Sequence, residues 1–213
     1  MSNTSLYTIR AIQIKDRLAD LIPGVNIPAG KRETAYIDQI VITENEVHFA
    51  NIHLIINNQG YRAVAPGTYT RLVADGKLQM TDTPAEKMDH AYVVKQATGS
   101  CLLMGLGIGM VASAMARKPE VTDITVIERN PDVIDLVAPH LDPKITVIEA
   151  DAMTWEPPKG KKWEIIWHDI WPSICLDDCE ARTKLSRRYA RRWTVYHGAW
   201  AKDEIRRQQS RSY

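Results

Sequence analysis

From Gln96 to Ala116 the chain carries no charged side chain, and this run separates the fold classes open to it. As one helix it is long enough to span a bilayer, and Gly105-x-x-x-Gly109 would supply a helix-dimer motif. The run is not uniform, however. It opens with "QATGS", passes through β-like "CLLM", crosses "GLGIG" and ends in Ala-rich "MVASAMA". The stretch that follows, "ITVIERNPDVIDLV", repeats strand and helix without another long apolar tract. The expectation is a strand, a glycine turn and a helix, with no membrane span.

The alternation continues through "ITVIEA" to "WEIIWHD". Short apolar strands between helices predict an α/β fold, a Rossmann-like open parallel sheet. Upstream, "SLYTIRAIQIKDRLADL" has helical spacing. The segments "AYIDQIVI", "EVHFANIHLII", "YRAV" and "YTRLVADGKLQM" have strand composition, and Asp75-Gly76 marks a two-residue hairpin. A helix over "PAEKMDHAYVVKQA" takes Thr83 as cap and Pro84 as first residue. The division predicted is a helix and antiparallel β segment over residues 1–83, then a nucleoside-binding domain over 84–213 ending in a basic tail. The chain is short for such a sheet, so later strands are expected to be shortened or absent and the exposed edge to be covered by the N-terminal β segment or by another subunit.

A net charge of +1 over 213 residues gives no global pull toward nucleic acid or membrane. The first twenty residues lack the apolar core of a secretory signal, and three cysteines are too few for a disulfide framework. A cytoplasmic location and no metal are expected.

Gly105, Gly107 and Gly109 lie between a strand and a helix, where the chain must turn tightly and a ligand must approach the backbone. Met110 stands where a dinucleotide fingerprint places its third glycine, which removes support for NAD. Glu128, Asp151 and Asp169 each close a successive predicted strand. In an open parallel sheet those ends line the ligand crevice.

Together these residues resemble the class I S-adenosylmethionine-dependent methyltransferases, and within them the spermidine-synthase-like branch. "LLMGLGIG" is similar to that branch's first strand and glycine turn, "TVIERNPDVIDLV" to its ribose-binding strand and helix, and "EADAM" to its adenine-contacting segment. The hairpin and helix over "TRLVADGKLQMTDTPAEKMDH" resemble its cofactor cover. The resemblance spans residues 69–172. It implies S-adenosylmethionine as cofactor, held by Gly105, Gly107 and Gly109 on the methionine side. Glu128 takes the ribose hydroxyls, Asp151 with Ala152 the adenine, and Gln79 lies on the covering hairpin. Asp169 falls where polyamine synthases keep the acid that receives the attacking amine's proton. Those enzymes also carry acids where this chain has Ile108 and Trp171, so methyl transfer to a small molecule is expected ahead of aminopropyl transfer.

Asp169 is the first candidate base and His168 the second, with strand alternation expected to turn one of them away from the crevice. Trp167 and Trp171 are candidates to frame a substrate or stack on a cation, and His90 is a candidate to reach the cofactor from the covering helix. A non-catalytic reading stands beside these. The segment "RTKLSRRYARRWTVYHGAW" interleaves arginines with Tyr189, Trp193 and Tyr196, as a nucleic-acid-tracking surface does.

Overall fold

The structure is a computed structural model that describes residues 21–47, 51, 64–171, 178–202 and 205. It holds two sheets. The first is antiparallel, ordered β1 (Gly30–Lys31), β2 (Ala35–Ile42), β3 (Gly67–Ala74) and β4 (Lys77–Thr81). Asp75 and Gly76 join β3 to β4 with φ of 52° and 69°, the paired positive values the two-residue hairpin requires. Asp38 and Arg71, directly opposite on β2 and β3, form a bidentate pair at 2.9 and 2.5 Å.

After this roof comes α1 (Pro84–Gln96), then β5 (Gly99–Met104), α2 (Met110–Ala116), β6 (Val121–Glu128), α3 (Pro131–Val137), β7 (Ile145–Glu149), β8 (Trp163–His168), α4 (Cys179–Tyr189) and β9 (Trp193–Ala199). The second sheet runs β7-β6-β5-β8-β9 and is parallel throughout. This is the Rossmann-like arrangement expected. The strand order reverses between β5 and β8, the point at which such sheets open a crevice. The uncharged run divides into β5, the glycine turn and α2. Among the described residues, no helix is long and apolar enough to cross a membrane.

Two elements depart from expectation. The segment beginning "EVHF" was expected to be a strand, but residues 44–47 and Asn51 are helical. The reason is a capping box. The Thr43 N–H and hydroxyl both donate to the Glu46 carboxylate at 2.8 Å, and the Glu46 N–H reaches back to the Thr43 hydroxyl at 3.4 Å. The second departure is β9. Residues expected to form a basic, partly helical tail build a helix and then a fifth strand. On α4, Arg182, Leu185 and Tyr189 recur at helical spacing and are the buried face. The strand that follows pairs with β8 from Trp163↔Trp193 to His168↔Ala199 and covers that edge. Tyr189 is thereby fully buried and four of the six tryptophans lie inside, whereas Trp193 is 40% exposed. The predicted N-terminal helix falls outside the described residues, apart from Leu21, as do most of "IHLII" and "YRAV".

One apolar core joins the sheets, with Ile37, Leu72 and Met80 of the roof packed among Leu103, Met115 and Val133 of the layer below. A polar seam reinforces it. The Thr34 N–H and hydroxyl each donate to Asp132 at 2.7 Å, tying the β1–β2 turn to the first turn of α3. Asn130 caps the same helix, its Oδ1 accepting from the N–H groups of Asp132 at 2.9 Å and Val133 at 3.3 Å. Asn130→Ala is expected to cost about 1 kcal/mol in urea unfolding, and a variant as stable as the parent would show that the cap contributes nothing.

Candidate active site

The cleft lies at the carboxyl ends of β5, β6, β7 and β8, beneath the roof hairpin, with a volume of about 320 Å³. That falls within the range of small-molecule sites. Leu72, Lys77, Gln79 and Met80 form its upper wall, and Gly105, Gly107, Glu128, Asp151, Ala152, Asp169 and Trp171 line the rest. Of the cofactor, base and substrate candidates read from sequence, Gly109, His168, His90 and Trp167 do not line it.

The glycines do different work. At Gly105, with φ of 98°, an added Cβ would overlap the carbonyl oxygen of Asp169. The ends of β5 and β8 approach too closely there for any side chain. At Gly107 the added Cβ would lie 2.5 Å from the Met80 sulfur, so this residue is the seat of the roof. Gly109 lines no part of the cleft. It is the left-handed residue that opens α2 and faces Leu141 and Val137. Ile108, between them, is fully buried in the core and points no functional group at the cleft.

Glu128 is more heavily engaged than the sequence suggested. Its Oε2 accepts from the Leu106 N–H at 2.9 Å, and its Oε1 accepts from Arg129 at 2.8 Å and Asn130 at 2.9 Å. A carboxylate offers about four acceptor positions. Three are taken by backbone, so one rather than two is left for a ribose. The first task of Glu128 is to bind the glycine turn to the start of α3. Asp151 accepts from the Met153 N–H at 2.8 Å through Oδ1, which fixes the turn after β7, and the buried Ala152 leaves that wall smooth. On the roof, the Gln79 amide donates to the Ala74 carbonyl at 3.1 Å.

Asp169 sits one residue past β8, held by its N–H donating to the Met104 carbonyl at 2.7 Å. Its side chain is 14% exposed, and the His90 Nε2 lies 3.5 Å from Oδ2. Burial, with the carboxylates of Glu86 and Asp89 nearby, pushes its carboxyl up to about 8, and Arg182 opposes the shift. His168, the second candidate base, points to the other face of the sheet. There its Nε2 meets the His197 Nε2 at 2.7 Å and its Nδ1 meets the Met104 sulfur at 2.9 Å. Burial first, then His197, holds its imidazole well below the usual range, and burial takes His197 down to about 4. Strand alternation decides this placement.

Trp171 lines the cleft and stacks on a cation, but the cation is the chain's own Arg182, 3.9 Å from the ring centroid. Trp167 is 6% exposed and packs edge-on against His90. The parts of the site that sequence reading missed come from α1 and α4, namely Glu86, Asp89 and Arg182. Nothing in their local pattern sets them apart from helix-surface charges. Among the described residues, no group of three or more His, Cys, Asp or Glu is placed to hold a metal.

No protein-family model matches the chain. The polyamine aminopropyltransferase of Mycobacterium tuberculosis is 26% identical over 147 residues, a match covering 63% of this chain and 26% of that protein. That of Corynebacterium efficiens is 26% identical over 165 residues, covering 70% and 30%. The chain is similar to polyamine aminopropyltransferases. It spans less than a third of the length of these relatives. Among solved structures, spermidine synthase from Thermotoga maritima superposes with a TM-score of 0.47 at 14% identity, over 84% of this chain and 56% of that one. The N-methyltransferase NodS from Bradyrhizobium japonicum gives 0.43 at 16%, over 53% and 65%. The sequence matches fall on the branch that the glycine turn and strand ends resemble.

The buried groups set opposite pH dependences. Asp169 is ionised in the unfolded chain above about pH 4 but keeps its proton in the folded chain up to about 8. The folded state then binds more protons across that window, and stability falls as pH rises through it. His168 and His197 do the reverse, remaining neutral when folded while the unfolded chain takes up protons below about pH 6.5, so stability falls with acidification. Between pH 6.5 and 8 the carboxyl acts alone of the three. Urea unfolding should show stability declining over that interval in the parent and flat in Asp169→Asn. Parallel curves would mean that the Asp169 proton is not retained on folding.

Proposed function

We propose that the chain binds a nucleoside sulfonium of the S-adenosylmethionine type in this cleft and transfers an alkyl group, methyl in the first reading, to a small-molecule amine. The observation that carries the proposal is the convergence of the glycine turn, Glu128, Asp151 and Asp169 on one cleft at the reversal point of a parallel sheet. The residues fit such a group. Gly105 and Gly107 allow close backbone approach, Glu128 keeps one acceptor position for a ribose hydroxyl, and Asp151 and Ala152 border a flat space for a base. When bound, a sulfonium supplies an electrophilic carbon whose bond to sulfur breaks as the acceptor nitrogen attacks, the electron pair passing to sulfur. This chain's part is to align the partners, exclude water and accept a proton. Asp169 accepts it from the nitrogen, and a carboxyl near 8 is matched to that task around neutral pH.

Aminopropyl transfer is the second reading, favoured by the similarity to polyamine aminopropyltransferases. Two observations weigh against it. Ile108 is turned into the core, and Trp171 is backed by a guanidinium where a second acid would be needed to hold a polyamine nitrogen.

Calorimetric titration with S-adenosylmethionine, its decarboxylated form and NAD tests both readings. The expected order is S-adenosylmethionine tightest and NAD undetectable. Glu128→Gln, which keeps part of the backbone hydrogen bonding, should weaken binding about tenfold, and Glu128→Ala by up to about a hundredfold. Preference for the decarboxylated form would establish the second reading, and failure of a folded protein to bind any sulfonium would remove both.

A further inference from the structure

Asp169 has a neighbour outside the cleft. His90 lies on the inner face of α1 and is fully buried. It does not line the cleft, but its Nε2 approaches the Asp169 Oδ2 at 3.5 Å. The Trp167 ring stands edge-on to it, centroids 5.9 Å apart and planes at 80°, which walls the imidazole into this orientation. Asp169 cannot retreat either, because its carbonyl fills the space that a Gly105 side chain would need. The other charges acting on its carboxyl are Glu86 and Asp89 from α1 and Arg182 from α4. Asp89 is itself held, accepting from the Trp200 indole N–H at 3.1 Å. An N···O separation of 3.5 Å is longer than a formed hydrogen bond, and loss of the Asp169 proton would draw the Nε2–H inward to a charge-assisted one.

We infer that His90 is a positioning residue for the proposed transfer, holding Asp169 Oδ2 from behind the cleft wall so that Oδ1 is the oxygen presented to the acceptor. The role rests on the transferase reading, but the contact can be measured without it. Once the Asp169 proton leaves, His90 would donate its Nε2–H to the carboxylate and so favour the ionised, proton-accepting form. It touches neither acceptor nor cofactor. Its loss should therefore change when Asp169 can act, and leave sulfonium binding alone.

Carbon NMR titration of the Asp169 carboxyl in the ligand-free chain, with Asp169→Asn to assign the signal, is the first measurement. The midpoint should rise by about one pH unit in His90→Phe, which keeps a ring but removes the donor. It should stay near the parent value in His90→Gln, whose amide still donates. Equal midpoints in all three overturn the inference. If His90→Phe fails to fold, the His90 imidazole is followed instead in the parent and in Asp169→Asn. A midpoint indifferent to the loss of Asp169 overturns it equally. In turnover, the rising limb of kcat against pH should move upward in His90→Phe with KM for the sulfonium unchanged and with rescue by His90→Gln. A uniform loss at every pH would reduce His90 to packing and overturn its positioning role. If the titration shift is present but neither parent nor variants bind any sulfonium, the transferase reading is what fails, and the role assigned to His90 falls with it.

Discussion

The site depends on the closeness of two strand exits. Where β5 ends, Gly105 has no side chain, and the Asp169 carbonyl at the end of β8 occupies that space. The Asp169 N–H reaches the Met104 carbonyl, and the Gly105 N–H reaches the Ile127 carbonyl of β6 at 2.9 Å. Three parallel strands are thus fastened to one another at the level where the cleft begins. Glu128 continues the fastening by gathering N–H groups from the glycine turn and from the entry to α3. A carboxylate that accepts several backbone donors is preorganised, so its remaining acceptor position is fixed in space before any ligand arrives.

The acid past β8 and the histidine ending it illustrate how one residue of register assigns opposite roles. His168 and Asp169 are adjacent, yet one is sealed against His197 and Tyr189 on the α4 side and the other faces the cleft beside His90. Burial shifts both away from their usual ranges, and in each case the neutral form is favoured. For the histidine this is the ordinary fate of a packed imidazole. For the aspartate, open to the cleft, the same physics yields a group able to exchange a proton near neutrality.

Most of the fold was legible because its signals are local. Apolar strands of five or six residues, the Asp75-Gly76 pair and the helix start at Thr83-Pro84 each act over a few residues and survive in the structure as read. The strand-end acids were legible for the same reason, since position along a strand determines position along the crevice. What escaped depends on residues distant in sequence or on competing local signals. The β9 strand hid behind Arg191 and Arg192, although Trp193, Val195 and Tyr196 carry strand composition, and only the open edge of β8 makes it form. The turn at Thr43–Glu46 carried a legible capping box that the β-rich residues after it obscured. The His90–Asp169 and Arg182–Trp171 contacts join helices to a strand end across 79 and 11 residues, and no periodicity encodes such pairs.

The core shared by the roof and the parallel sheet has a consequence for cooperativity. Ile37, Leu72 and Met80 are packed into the same cluster as Leu103 and Val133, and Met80 rests on Gly107 at the cleft itself. Losing the roof opens the apolar interior on this face of the parallel sheet, while the second core around Trp163 and Tyr189 on the α4 face contains no roof residue. A molecule captured between the two sheets adds its binding free energy to the packing of roof on sheet rather than to a single loop. Occupancy of the cleft then strengthens the hold of the roof on the parallel sheet.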